Sequence, residues 1–282
     1  MAAKKTAKIA DIASPRSTRI VAIANNKGGV GKTTTAMNLA GAFVLKERKV
    51  LAIDLDPQCN ASIAFNVIVD ANSPGVRHLL VGDRFRLSQC VYERGPYCDF
   101  IPADPDLAEL QTQLLIDPKG RTRLRDHLQR IIGQYDFVLL DCPPDMGVLT
   151  QSALVAAHEV IMPVDVGFFS VAGLARIVSI IEDIRNAYNP ELKIAGVLAT
   201  KYDPRTTLSE TTVSEIQAQG LPIFDTKIRI SVEIIRSQMA RVPVGIHAAD
   251  SHGAEDYNAL AAEILPGKVI PLRQRRRRVA EG

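Results

Sequence analysis

Nine consecutive residues, Asn26-Lys27-Gly28-Gly29-Val30-Gly31-Lys32-Thr33-Thr34, have the composition of a loop built to hold phosphate. Gly28, Gly29 and Gly31 lack Cβ atoms, so backbone N–H groups can close around phosphate oxygens. Lys32 has the reach for β- and γ-phosphates, and the Thr33 hydroxyl suits Mg²⁺. Thr34 then opens a helix whose N-terminal dipole favours the same anion. The strict pattern asks for glycine where Asn26 stands. What the chain offers instead is a second lysine, Lys27, one residue further on. Two lysines for one triphosphate imply that one of them serves the nucleotide of another subunit.

Carboxylates form the second group. Asp54-Leu55-Asp56-Pro57-Gln58 and Asp141-Cys142-Pro143-Pro144 each close an apolar run. A carboxylate at the end of a buried strand is costly unless it meets a cation or hydrogen-bond donors. Asp141 reads as the acid that holds Mg²⁺ directly or through water. The other reading of these aspartates is as N-caps ahead of Pro57 and Pro143. The four cysteines form no C-x-x-C pair, and packed, reduced thiols are the reading they favour.

These groups need a scaffold that brings them to one edge. Ile20–Ala24, Val50–Asp54, Phe100–Ile101, Phe137–Asp141, Val160–Pro163 and Ile194–Ala199 read as buried strands. Helical patterns cover 34–45, 121–133, 170–187 and 207–219. Continuous apolar strands separated by helices predict an α/β fold, a doubly wound and mostly parallel sheet covered on both faces. In such sheets ligands sit at the C-terminal ends of the strands. The expected organisation is a basic arm over 1–18, one ATPase domain over 19–267 and an arginine-rich tail over 268–282.

The string KGGVGKTT resembles the signature of the deviant Walker A ATPases, and the chain is most similar to their ParA-type partition and cargo-positioning branch. The resemblance runs from about Arg19 to about Leu265. It implies ATP and Mg²⁺ as cofactors, with Lys27, Gly28, Gly29, Val30, Gly31, Lys32, Thr33 and Thr34 around the phosphates. It implies that Lys27 crosses a dimer interface to the partner's ATP, making Lys27, Lys32 and Asp56 the catalytic set. Asp56 would orient water, and Thr33, Asp54 and Asp141 would form the magnesium shell. Thr200-Lys201-Tyr202-Asp203-Pro204-Arg205 resembles a family segment near the dimer interface and, in some members, the adenine pocket. Thr226–Ser231 resembles the turn near the base, although this chain reads Lys227-Ile228-Arg229 where the family carries a proline. An ordinary surface loop fits that last string equally well.

The net charge of +3 conceals a partition. Residues 1–19 carry five Lys/Arg and one Asp, and residues 268–282 carry six and one Glu, so the body between them is negative. Arg273, Arg275, Arg276, Arg277 and Arg278 form a run that can bind phosphates with little base readout, or simply keep the chain solvated. The family binds DNA non-specifically as an ATP-bound sandwich homodimer and releases it when a ParB-like or cargo-adaptor partner stimulates hydrolysis. Arg236 and Arg241 are further candidates for DNA contact. A cytoplasmic, nucleoid-associated protein is therefore expected, with no secretory signal and no run of the ~18–20 apolar residues that span a bilayer. Two rivals remain, a MinD-like membrane-cycling ATPase and a P-loop adaptor that ignores DNA. The MinD-like branch ends in an amphipathic anchor, whereas this chain ends in arginines.

Overall fold

The computed structural model describes residues 18–265 except 71, 83 and 168–170. Its seven strands are β1 (Arg19–Ile23), β2 (Val50–Asp54), β3 (Tyr92–Glu93), β4 (Cys98–Ile101), β5 (Phe137–Asp141), β6 (Glu159–Asp165) and β7 (Lys193–Thr200). They form one sheet in the order β3-β4-β2-β5-β1-β6-β7, parallel throughout except for the short antiparallel edge strand β3. This is the predicted doubly wound architecture, with strand ends within two residues of the apolar runs.

The strands are buried on both faces because a helical layer lies on each side. One layer holds α3 (Val76–Val81), α4 (Leu107–Ile116), α5 (Arg123–Gln129), α6 (Val148–Ala156) and α7 (Val171–Ala187). Leu79, Leu107, Leu124, Leu149 and Ile177 from these helices share a core with Leu51, Val138 and Leu140. The opposite layer holds α1 (Lys32–Val44), α2 (Asn60–Ala64), α9 (Val232–Met239), α10 (Val244–His247) and α11 (His252–Ile264). Its core joins Met37, Phe43, Tyr257 and Leu260 to Ala52 and Leu139, with the Phe43 and Phe137 rings stacked 3.9 Å apart. Helix α8 (Thr207–Ala218) follows β7. A Cβ at Gly41 of α1 would collide with the Pro243 ring, so glycine there lets the segment before α10 lie directly on α1.

Strand register positions the site. Ile23 pairs with Asp141, and Asp141 pairs with Asp54 on its other side. The C-terminal ends of β1, β5 and β2 therefore finish level, at the edge where a doubly wound sheet binds ligand. The glycine-rich loop leaves β1 at this edge and both acidic segments begin there.

Candidate active site

The loop between β1 and α1 is held by side chains outside its own motif. Asn25, almost fully buried, donates from Nδ2 to Pro163 O (2.7 Å) and accepts the Lys27 N–H at Oδ1 (3.0 Å). Thr200 Oγ1, at the end of β7, donates to Val30 O (2.9 Å) and lies within 3.1 Å of Val164 O. Gly29 and Gly31 have φ of 72° and 91°, a left-handed geometry that side chains with a Cβ rarely adopt. Neither Asn25 nor Thr200 has a local pattern that reveals these contacts; both were found only through the strands that they bridge.

The two lysines differ sharply. Lys32 is buried and its Nζ donates to Lys27 O (2.9 Å), so it points back under the loop. Burial lowers its pKa, and Asp141, Asp56 and Asp145 partly offset that. Lys27, by contrast, is exposed.

The carboxylates are graded in function by their neighbours. Thr33 Oγ1 donates to Asp141 Oδ2 (2.7 Å), while Asp141 Oδ1 is buried with no hydrogen-bond partner among the described residues. Burial and the adjacent Asp54 push the Asp141 carboxyl well above the usual range. Asp54 is fully buried, and its oxygens accept the Asp56 N–H (2.9 Å), the Ser62 N–H (2.8 Å) and the Ser62 hydroxyl (2.7 Å). Burial pushes Asp54 up to about 6 in spite of those donors. Both Asp54 oxygens thus accept from its own loop; the sequence expectation put this residue in the magnesium shell with Thr33 and Asp141. Asp56 accepts the Gln58 N–H at Oδ1 (2.9 Å) and lines the cleft, with its pKa raised by burial. Cys59 and Cys142 stand next to these acids, and burial raises both thiols, so neither is a ready nucleophile.

A cleft of about 690 Å³ runs from Gly28, Gly29, Gly31–Thr34 and Asp56 to Ile63, Ile228, Ile230, Ile234 and Ile235. That volume is within the usual range for small-molecule sites, roughly 300–1,000 Å³. Thr200 and Lys201 line it, but the rest of the Thr200–Arg205 segment does not. Tyr202 instead pairs with the backbone of Ile228 and Ile230, and its hydroxyl meets Glu210. Arg205 bonds to Asp203 (2.8 Å). The Thr226–Ser231 string runs beside Tyr202 into α9, and Arg229 is clasped by Asp256 (2.5 Å) and Glu255 (2.8 Å). Arg229 is therefore a brace between this segment and α11.

The basic candidates separate as well. Arg236, exposed on α9, bonds to Glu233 one turn earlier (2.6 Å). Arg241 donates to Asn66 Oδ1 (2.7 Å) at the rim of a groove with Val44, Phe65 and Ile246. Arg273, Arg275, Arg276, Arg277 and Arg278 lie outside the described residues, as do residues 1–17 of the expected arm and the whole expected tail.

The donor set fits a magnesium–nucleotide. A glycine loop offers its N–H groups, a buried lysine faces an anion site, and a threonine hydroxyl and an unsatisfied buried carboxylate oxygen converge where a hard cation would need oxygen ligands. Sheet, loop and acidic pair define a P-loop ATPase that uses ATP and Mg²⁺. A family model described as an AAA domain matches residues 18–194. The chromosome partitioning protein ParA of Caulobacter vibrioides is 37% identical over 250 residues, 88% of this chain and 94% of that protein. The chromosome-partitioning ATPase Soj of Thermus thermophilus is 37% identical over 249 residues, 88% of this chain and 95% of that protein. The crystal structure of cobyrinic acid a,c-diamide synthase from Mycobacterium smegmatis with bound ADP and magnesium superposes with a TM-score of 0.77 at 32% identity, covering 87% of this chain and 93% of that one. The chain belongs to the ParA-type ATPases of the ParA/MinD family.

The acidic pair sets a pH dependence. With both carboxyls raised, the metal-free fold holds more protons than the unfolded chain, so their contribution to stability is complete below about pH 4; the Asp54 share is lost as pH rises through about 6, and the Asp141 share only well above the usual carboxylate range. A cation at Asp141 displaces that proton. Stabilisation by Mg-ATP, measured as the rise in melting temperature over protein in EDTA, should therefore grow as pH rises above the usual carboxylate range and be accompanied by proton release in calorimetry. A gain independent of pH would contradict a protonated Asp141 in the metal-free protein.

Proposed function

We propose that this chain is a dimerising switch ATPase that binds DNA non-specifically and segregates or positions DNA or another large cargo, with a ParB-like or adaptor protein stimulating hydrolysis. The observation that carries this reading is the division of labour between the lysines. Lys32 is buried and bonds to the loop's own backbone, and Lys27 is exposed, accessible to a second subunit that presents its own nucleotide.

When bound, magnesium would neutralise charge on the nucleotide's phosphates. The rest is positioning by the chain's own groups. Lys32 is held under the loop and supplies the cis cation. Asp141 and Thr33 hold the metal, and Asp54 braces Asp56 and the turn to Ser62. Asp56 orients the attacking water. Lys27 adds a donor from the facing subunit, so hydrolysis becomes a timer on the lifetime of the pair.

The DNA arm is tested with full-length protein, ATP and random duplex DNA over a salt series. Affinity should require ATP and fall steeply with salt, and removing residues 268–282 should flatten the log–log slope by about 3 to 5. A truncated protein with an unchanged slope would take the tail out of the interface. If the full chain with ATP ignored DNA and bound anionic liposomes, the membrane-cycling alternative would replace this reading. Among the described residues no helix is long and apolar enough to cross a membrane.

A further inference from the structure

Several polar side chains line the cleft outside the phosphate loop and the acidic set, Gln238 among them. Gln238, half-buried in the last turn of α9, donates from Nε2 to Thr34 Oγ1 (2.7 Å) across 204 positions of sequence. Thr34 is in the first turn of α1, so Gln238 is fastened to the helix that receives the phosphates. Around it the cleft wall is apolar, with Ile63 of α2 and Ile234 and Ile235 of α9. Those walls suit the faces of a flat heterocycle. Two other amides line the cleft, Gln58 and Asn60, but both are exposed. Arg229, close by in sequence to the expected base contacts, is already held by Asp256 and Glu255.

We propose that Gln238 reads the nucleobase and makes the site selective for adenine. A carboxamide has two N–H donors and one oxygen. With one N–H spent on Thr34, the remaining N–H and the oxygen, which has no hydrogen-bond partner among the described residues, form a fork. That fork matches adenine, whose N6 amine donates to the oxygen while N7 accepts the N–H. Guanine presents O6 where adenine presents N6, which sets two oxygens against each other. The bond to Thr34 fixes the amide before the ligand arrives, so little rotamer freedom is lost on binding. Gln238 is thus a specificity-determining residue. Its role rests on the cleft being the nucleotide site and not on dimer formation or DNA.

The test is calorimetric titration of the full chain with Mg-ATP, Mg-GTP and magnesium tripolyphosphate, for wild type, Gln238→Leu and Gln238→Glu. Melting temperatures of the ligand-free proteins check folding. Wild type should prefer ATP, and Gln238→Leu should lose about tenfold or more in ATP affinity with GTP and tripolyphosphate nearly unchanged. Gln238→Glu, which keeps an oxygen for N6 but no donor for N7, should fall between them. Parallel loss of all three ligands, or an unchanged ATP-to-GTP ratio in Gln238→Leu, overturns the assignment. Wild-type protein that bound neither ATP nor tripolyphosphate would overturn the nucleotide site itself.

Discussion

Replacing Lys27 with alanine should lower the ATPase rate per subunit by about 100- to 1,000-fold at saturating ATP, the usual cost of removing one donor to transition-state charge. Affinity for Mg-ATP should change little. The geometry explains the asymmetry. Lys27 serves its own loop through its backbone, whose carbonyl accepts from Lys32 and whose N–H bonds to Asn25. Alanine keeps both groups, so the cradle and the Lys32 position survive. What is lost is the exposed side chain. A loss confined to kcat marks a contact made only in the transition state. Wild-type rate per subunit should also rise with protein concentration and saturate once dimers form. If the alanine variant hydrolyses ATP at the wild-type rate, or if wild-type turnover per subunit is flat far below saturation, Lys27 does not act across a dimer. Lys32→Ala provides the contrast, since it should weaken nucleotide binding as well.

The second large effect is on stability. Asp54→Ala should destabilise the nucleotide-free protein by about 2–4 kcal/mol, because it strands the Asp56 N–H, the Ser62 N–H and the Ser62 hydroxyl in a dry interior. One effect opposes this. Asp54 repels Asp141, and its removal relieves that repulsion. The relief is small, because burial raises both carboxyls, and protonation already removes much of the repulsion in the metal-free protein. Lost hydrogen bonds therefore win. For a domain of this size the melting temperature should fall by roughly 5–15 °C, measured by calorimetry in EDTA. Hydrolysis should fall too, because Asp56 loses the acceptor that fixes its backbone. A variant that melts at or above wild type would show that repulsion outweighed the bonds.

Much of the fold was legible because parallel strands buried on both faces read as unbroken apolar runs, as in Phe137–Asp141, which is β5 to the residue. Edge strand β3, two residues long and half-exposed, has no such signature. Helices α4, α6 and α11 and the short α2, α3, α9 and α10 were also not anticipated; the short ones carry too few turns for a clear periodicity, and their positions come from packing on α1 and the sheet. The Thr200–Arg205 segment shows the limit within one motif. Its first two residues line the cleft, while Tyr202 and Arg205 are spent on Glu210 and Asp203.

By itself the sequence determined that this protein holds a triphosphate and magnesium. Phosphate binding is local chemistry, and glycines, lysine and threonine at the right spacing carry it within one loop and one helix start. Tertiary structure decided everything that depends on residues far apart in the chain. Strand register set Asp54 beside Asp141 and gave one a bracing role and the other an unsatisfied oxygen. Packing of α9 against α1 brought Gln238 to Thr34. Backbone spacing says nothing about such meetings, because they are fixed by which faces of sheet and helix must be buried together.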